Sequence, residues 1–215
     1  MSSQLRLAIL LGLSTLIFSA CQSVPNNLYG YTFSTAKIEY TITGSSNGTS
    51  EVLIKGEKKK IHNQITQKKP DGTEQTTDTL LIQDADKLYT LNPQTKTGSL
   101  VTQPIYSDLQ KLTPEERQQK MILEAIRDDR SPEEQQTNPP KPEKSESVAG
   151  QQCDLYVTNA NLQTCLWQGV PLKAVASLPE YGIQTETTAI SVVLNQDISD
   201  SEFDVPQDYQ ITTLN

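Results

Sequence analysis

The chain contains few of the residues from which catalytic and metal sites are built. Its 215 residues include 1 histidine, 3 cysteines and 1 tryptophan, so a metal site or a Ser–His pair would have to be built around His62 alone. It has no phosphate-binding glycine loop, no nucleophile elbow and no cluster of zinc ligands. We therefore expect no catalysis, no cofactor and no metal, and we interpret His62 as a solvent-facing or hydrogen-bonded histidine.

Basic residues are scarce as well. The chain carries 18 lysines and arginines against 26 acidic residues, a net charge of −8, which makes nucleic acid an unsuitable partner. A basic island could bind anionic lipid head groups or another envelope polymer. Lysines also protect solvated hairpin edges against aggregation, and we favour this second interpretation. The island consists of Lys55, Lys58, Lys59, Lys60, Lys68 and Lys69.

A group of acidic residues lies near the C-terminus of the sequence. It lacks the glycine and the spacing of an EF-hand loop, so we interpret it as solvated turns and strand ends rather than as a calcium site. The group consists of Asp197, Asp200, Glu202, Asp204 and Asp208.

One apolar run stands out, from Leu7 to Phe18. As a helix it would be about 18 Å long, too short for a hydrocarbon core of roughly 30 Å. It follows Arg6 and precedes Ser19-Ala20-Cys21, the layout of a signal peptide with a small-residue cleavage site. We predict a signal peptide over residues 1–20.

The residues Phe18-Ser19-Ala20-Cys21 resemble the bacterial lipobox, with Phe18 where leucine is usual. The resemblance implies that Cys21 carries acyl chains such as palmitate and anchors the mature protein to a membrane of the cell envelope. Gln22, in place of the aspartate that retains enterobacterial lipoproteins in the inner membrane, implies the outer membrane. The alternative is a plain secretory signal with a chance cysteine. Residues 21–34 would form the lipidated N-terminus and a tether.

The two remaining cysteines, Cys153 and Cys165, should pair in an oxidising exterior. They flank Asn159-Ala160-Asn161 almost symmetrically, so a hairpin with its turn there would set them directly opposite each other, within reach of a disulfide. We predict a disulfide that staples this hairpin.

Alternating polar and apolar residues predict a meander of short antiparallel strands. The pattern is clearest from Ala36 to Thr43, where Ala36, Ile38, Tyr40 and Ile42 share one face. Further strands are predicted around Val52 and Ile54, and over 58–67, 79–83, 87–91, 153–157, 164–168, 172–176 and 185–194.

Two other segments complete the organisation. Thr113-Pro114-Glu115-Glu116 has the signature of a capped helix start, and the helix should run to about Arg127 and dock an apolar stripe on the sheet. Residues 128–147 are charged and proline-rich and are expected to be disordered. We therefore divide one domain into 35–127 and 148–215, separated by this insertion.

Three stretches together resemble the LolA/LolB-like superfamily of lipoprotein carriers. They are Gly56–Ile61 with Leu80–Ile82 and Lys87–Pro93, then Val148–Tyr156 leading to Cys165–Lys173, and finally Ile198–Pro206 with its phenylalanine-x-x-proline strand end. The resemblance implies an α+β fold, mainly antiparallel β, in which a strongly curved incomplete barrel or half-barrel is covered by a helix. In the carriers, an apolar cavity between sheet and helix holds acyl chains.

We assign eight residues to this apolar groove or to core: Ile38, Tyr40, Ile42, Val52, Ile54, Ile122, Ile126 and Trp167. For Trp167 we favour core. The leading interpretation is a non-catalytic, membrane-anchored envelope lipoprotein that binds a lipid or an acylated protein in the groove. The alternative is a structural or interaction lipoprotein with a packed core and no small ligand.

Overall fold

The computed structural model describes residues 28–69, 71–126, 130–159 and 161–214. Within these ranges the chain forms one twelve-stranded sheet, three α-helices and two short 3-10 helices, over Pro179–Tyr181 and Asp200–Phe203. The strands are β1 (Thr35–Gly44), β2 (Ser46–Lys55), β3 (Lys58–Lys68), β4 (Glu74–Asp84), β5 (Lys87–Asn92), β6 (Thr97–Thr102), β7 (Lys144–Val148), β8 (Gln151–Asn159), β9 (Leu162–Trp167), β10 (Val170–Leu178), β11 (Ile183–Leu194) and β12 (Gln210–Leu214). The helices are α1 (Pro104–Leu109), α2 (Pro114–Ile126) and α3 (Pro132–Thr137).

The strands follow the order β12-β6-β5-β4-β3-β2-β1-β11-β10-β9-β8-β7. All neighbours are antiparallel except β12, which runs parallel to β6. Since β12 and β7 are the two edges, the sheet is open. The predicted α+β class with a mainly antiparallel sheet is confirmed, and the half-barrel description stays a prediction.

The sheet curls at its β7 end. Strand β7 lies four places from β11 in the strand order, a separation of about 19 Å in a flat sheet. Residues of the two strands nevertheless approach within 8 Å between Cα atoms. The curl turns one face of the sheet inward, and we call this the inner face.

The main hydrophobic core lies on the inner face. It takes every second residue of the strands, such as Ile38 of β1, Ile54 of β2 and Leu155 of β8, as the two-residue period of a strand requires. Leu109 of α1 joins it. A small second cluster of Leu53, Ile198 and Phe203 lies on the outer face. There Phe203 belongs to a 3-10 helix, not to the strand end expected from the resemblance.

The helix predicted from Thr113 is present as α2. The Thr113 hydroxyl accepts from the Glu116 amide at 3.3 Å, and the Glu116 carboxylate accepts from the Thr113 amide at 2.8 Å, which is a capping box. Ile122 and Ile126 pack with Tyr156 and Leu166. These two strand residues alternate with inner-face neighbours, so this stripe of α2 docks on the outer face.

Two segments differ from expectation. Segment 28–34, assigned to the tether, is largely core, because Leu28, Tyr29, Tyr31 and Phe33 are buried. Segment 128–147, expected to be disordered, contains α3 and β7. Helix α3 begins with a capping box between Ser131 and Glu134, and β7 is held by its backbone pairing with β8.

The predicted disulfide between Cys153 and Cys165 is present, with a Cα–Cα distance of 5.4 Å. The predicted register is wrong, however. Cys165 lies opposite Leu155, not Cys153, because the hairpin closes with Asn159 opposite Leu162, which centres the turn later in the chain than predicted; the irregularity between Val157 and Asn159 offsets only one residue of this shift. The disulfide therefore joins diagonal neighbours on the inner face.

No helix in the described ranges has the length and apolar character needed to cross a membrane.

Candidate functional site

A partly open apolar cavity of about 270 Å³ lies against the inner face. Its walls come from β1, β2, β3, β10 and β11, from segment 28–34 and from the turn between β9 and β10. The lining residues are Tyr31, Tyr40, Ser50, Val52, Ile54, Lys59, Ile61, Gly169, Val170, Pro171 and Thr187.

The floor of the cavity follows from strand register. Ile54 of β2 lies opposite Lys59 of β3, and Val52 lies opposite Ile61. Because side chains alternate along a strand, these four share the inner face. Ser50 continues the same row on β2 and lies opposite Tyr40 of β1. The floor is therefore an apolar strip with Lys59 at one end and hydroxyl groups at the other.

The roof is the tight turn Gln168-Gly169. Both residues have positive φ angles, 50° and 78°, as a two-residue hairpin turn requires. The Gln168 side-chain oxygen accepts hydrogen bonds from the amide and hydroxyl of Thr32, at 2.9 and 2.7 Å. From the floor, the Tyr40 hydroxyl donates to the Pro171 carbonyl oxygen at 2.9 Å. The turn is thus fixed over the cavity from two sides.

A row of four aromatic rings closes one side of this region. Tyr29, Tyr31, Phe33 and Trp167 stack in sequence, with centroid distances of 5.7, 4.8 and 5.3 Å. Burial raises the pKa of the Tyr29 phenol to about 12, and that of Tyr31 further still. Trp167 is core, as favoured from the sequence, and only Tyr31 of the four reaches the cavity.

Lys59 is the charged residue of the cavity wall. Its strand neighbours are Ile54 on β2 and Gln83 on β4, and no acceptor or carboxylate in the described ranges pairs with its ammonium group. It is partly accessible from the cavity and otherwise enclosed by protein. Burial lowers the pKa of this ammonium group.

The neighbouring lysines have a different environment. On the outer face, Lys60 Nζ lies 2.8 Å from Glu202 Oε2, and Lys55 and Lys58 lie 3.3 and 3.8 Å from Asp200 Oδ1. Lys55 also donates to the Ile198 carbonyl oxygen at 2.8 Å. The hydrogen bond from Lys60 lowers the pKa of Glu202. Three lysines of the basic island therefore pair with Asp200 and Glu202 of the C-terminal acidic group, and Lys59 alone of these four lysines turns inward.

His62 also has a partner. Its Nε2 lies 2.8 Å from Asp78 Oδ1, so the histidine is hydrogen-bonded, as expected. Among the residues that the structure describes, no group of three or more histidine, cysteine or acidic side chains is arranged to hold a metal ion.

The structure separates the eight groove candidates. Tyr40, Val52 and Ile54 line the cavity, while Ile38 and Trp167 belong to the core around it. Ile42 is buried on the same face of β1. Ile122 and Ile126 belong to α2 and pack against the outer face of the sheet. Cys21 lies outside the described residues.

Sequence reasoning missed three parts of the site. Lys59 was grouped with its neighbours, although the strand period alone puts it on the face opposite Lys58 and Lys60. Tyr31 was assigned to a tether, although Tyr29, Tyr31 and Phe33 alternate as strand-like core residues do. The roof turn at Gln168-Gly169 meets the floor only through the curl of the sheet, for which the sequence carries no local signal.

No protein-family model matches the chain, and no curated protein matches it. Solved structures with similar backbones include an uncharacterised conserved protein from Thermus thermophilus, with a TM-score of 0.49 and 9% identity over 84% of this chain and 91% of that one. Another is the MucA/MucB complex of Pseudomonas aeruginosa, with a TM-score of 0.43 and 14% identity over 84% of this chain and 58% of that one.

This chain spans little more than half the length of the chain it matches in the MucB complex. The TM-scores stay below one half and the identities are low. These likenesses therefore assign no family, partner or activity.

Proposed function

We propose that this protein is a non-catalytic, lipid-anchored protein of the cell envelope that binds one acyl chain in the cavity under the β9–β10 turn. The observation that carries the proposal is the cavity itself, whose floor of Val52, Ile54 and Ile61 is apolar and which opens to solvent. An apolar cavity with a few polar groups at its ends is the usual form of a small-molecule site.

The volume limits the ligand. Ligand sites commonly measure about 300 to 1,000 Å³, and this cavity lies just below that range at about 270 Å³. One chain is therefore the appropriate size, and the several chains of a complete lipoprotein N-terminus are too large. The resemblance to the carriers suggested a lipid or an acylated protein as the ligand, and the volume narrows this to a ligand with a single acyl chain.

The anchor is supported by the sequence pattern that ends at Cys21. Leu28, the first described residue, follows Cys21 by seven positions, and a fully extended chain of that length reaches at most about 25 Å. A lipid on Cys21 would hold the domain close to the membrane surface, where acyl ligands are found. Gln22 favours the outer membrane in this proposal.

The rival function is a structural or interaction protein without a small ligand. Exposed Leu178 and Ile183, which pair at the β10–β11 hairpin end, favour it, since they are 39% and 43% exposed and two adjacent exposed apolar residues can contact a protein. Under this function the cavity would be an empty packing defect.

Native mass spectrometry of protein gently extracted from the envelope tests the proposal. We expect a non-covalent adduct with the mass of a single-chain lipid, in addition to covalent acyl mass on Cys21. The Cys21→Ser variant should lose the covalent mass, leave the membrane fraction and keep the adduct. Protein that is consistently empty, together with a specific protein crosslink in cells, would support the rival function instead.

A further inference from the structure

Lys59 gives the cavity a preference for an anionic head group, which its apolar walls alone would not provide. Resting on the acyl-chain function proposed above, we propose that the ligand is a free fatty acid whose carboxylate pairs with the Lys59 ammonium group. Lys59 is then the head-group residue of the site, and the apolar strip receives the chain.

The position of Lys59 fits one orientation of such a ligand. Lys59 lies opposite Ile54, and Ser50 lies four residues further along β2, about 13 Å away at the rise of a strand. A carboxylate at Lys59 would direct its chain along Ile61 and Val52 toward Tyr40. The methyl end of the acyl chain would then contact the end of the cavity that carries the hydroxyl groups.

The charges around the cavity select an anion. Lys59 is the charged member of the lining, and within the described ranges it lacks the carboxylate partner that each of Lys55, Lys58 and Lys60 has on the outer face. An ammonium group held among apolar residues without a counter-ion is unfavourable. A bound anion would supply the missing partner, whereas a neutral or cationic head group would not.

The number of charges favours a carboxylate. One ammonium group balances the single negative charge of a fatty acid. A phosphate monoester carries about −1.5 to −2 at neutral pH, which would leave excess negative charge in an apolar cavity. Together with the one-chain volume, this favours a free fatty acid over a phosphate monoester.

The test compares dodecanoic acid with its methyl ester, which has the same chain and no charge. Full-length chain carrying Cys21→Ser is purified without detergent and stripped of lipid, and binding is followed by native mass spectrometry and by Trp167 fluorescence. Lys59→Met removes the charge and keeps an unbranched apolar side chain. Lys60→Met is the matched control, because it removes the adjacent lysine on the outer face.

We expect the parent protein to bind the acid about ten- to hundredfold more tightly than the ester, the usual effect of one charge-assisted hydrogen bond. Lys59→Met should lose this preference and still bind the ester, and Lys60→Met should retain the preference. A preference that survives Lys59→Met, or equal binding of acid and ester by the parent, overturns the assignment of Lys59 but not the acyl-chain function. Binding of neither ligand overturns the acyl-chain function itself.

Discussion

At the scale of single residues, the consecutive lysines of β3 lie in opposite environments. Lys58 and Lys60 point outward to Asp200 and Glu202, whereas Lys59 points into an apolar cavity and has no counter-ion in the described ranges. Such a residue lowers the stability of the empty protein, because its charged form loses hydration without gaining a partner. Its presence is understandable if a ligand provides that partner.

Lys59→Met should therefore stabilise the empty protein. Burial lowers the pKa of Lys59 in the folded state, so between that pKa and the unfolded value of about 10.4 the unfolded chain binds more protons. The contribution of Lys59 to the stability of the parent then rises with pH in this window. We expect Lys59→Met to increase the free energy of unfolding by about 1 kcal/mol at neutral pH, with a smaller gain at pH 10. Urea denaturation at both pH values measures it.

Lys60→Met is the control here too, and it should change stability little or lower it slightly, since it breaks an exposed ion pair. Equal stabilisation by both substitutions would show that the cavity environment of Lys59 has no special cost.

The buried tyrosines predict the response to alkali. Burial raises the pKa of Tyr29 to about 12, a hydrogen bond to Glu57 raises that of Tyr106 to about 12, and burial raises those of Tyr31 and Tyr40 further. In the unfolded chain these phenols ionise around their ordinary pKa of about 10, so their effect on stability sets in near that pH and grows above it. There the unfolded chain loses protons that the folded chain keeps, and stability falls with rising pH.

Ultraviolet titration should therefore show phenolate absorbance in two stages, the second coinciding with loss of the near-ultraviolet circular dichroism. Tyr40→Phe should reduce the second stage only. Ionisation of all 8 tyrosines near pH 10 in the folded protein would contradict the buried aromatic row.

At the scale of elements, two helix starts share one sequence signature. Thr113-Pro114-Glu115-Glu116 predicted α2 correctly, and Ser131-Pro132-Glu133-Glu134 has the same form and begins α3. The second start lies within residues 128–147, for which the composition predicted disorder. The local capping signal was the better guide there. Strand β7 carried no such signal, because Lys144–Val148 is mostly polar and depends on pairing with β8.

The disulfide joins two strands whose hairpin closes a short loop, with 12 residues of separation between the cysteines. By loop entropy, removing it should lower the free energy of unfolding by about 3 kcal/mol. We expect this loss for Cys153→Ala with Cys165→Ala, measured by urea denaturation in a Cys21→Ser background that contains no other thiol. Equal stability of the oxidised parent and the double variant would contradict a stapling role.

At the scale of the whole molecule, the fold class and most strands could be predicted, but the site only in part. The strands β1 to β5 and β8 to β11 follow alternating residues such as Ile38 and Tyr40, and that periodicity is local. The cavity instead depends on which faces meet after the sheet curls, which brings Pro171 to Tyr40 across 131 residues of sequence. For the same reason, the sequence could predict that Ile122 and Ile126 dock on the sheet, but not on which face of the sheet.

The central claim is that the cavity accommodates one acyl chain, and a cavity-filling substitution tests it most directly. Ile61 lines the cavity and is half-buried, so Ile61→Trp should occupy the space, while Gln64→Trp on the exposed side of the same strand is the control. In native mass spectrometry with dodecanoic acid, we predict one bound ligand for the parent and for Gln64→Trp, and none for Ile61→Trp. Undiminished binding by a folded Ile61→Trp variant, or no binding by the parent, would contradict the account.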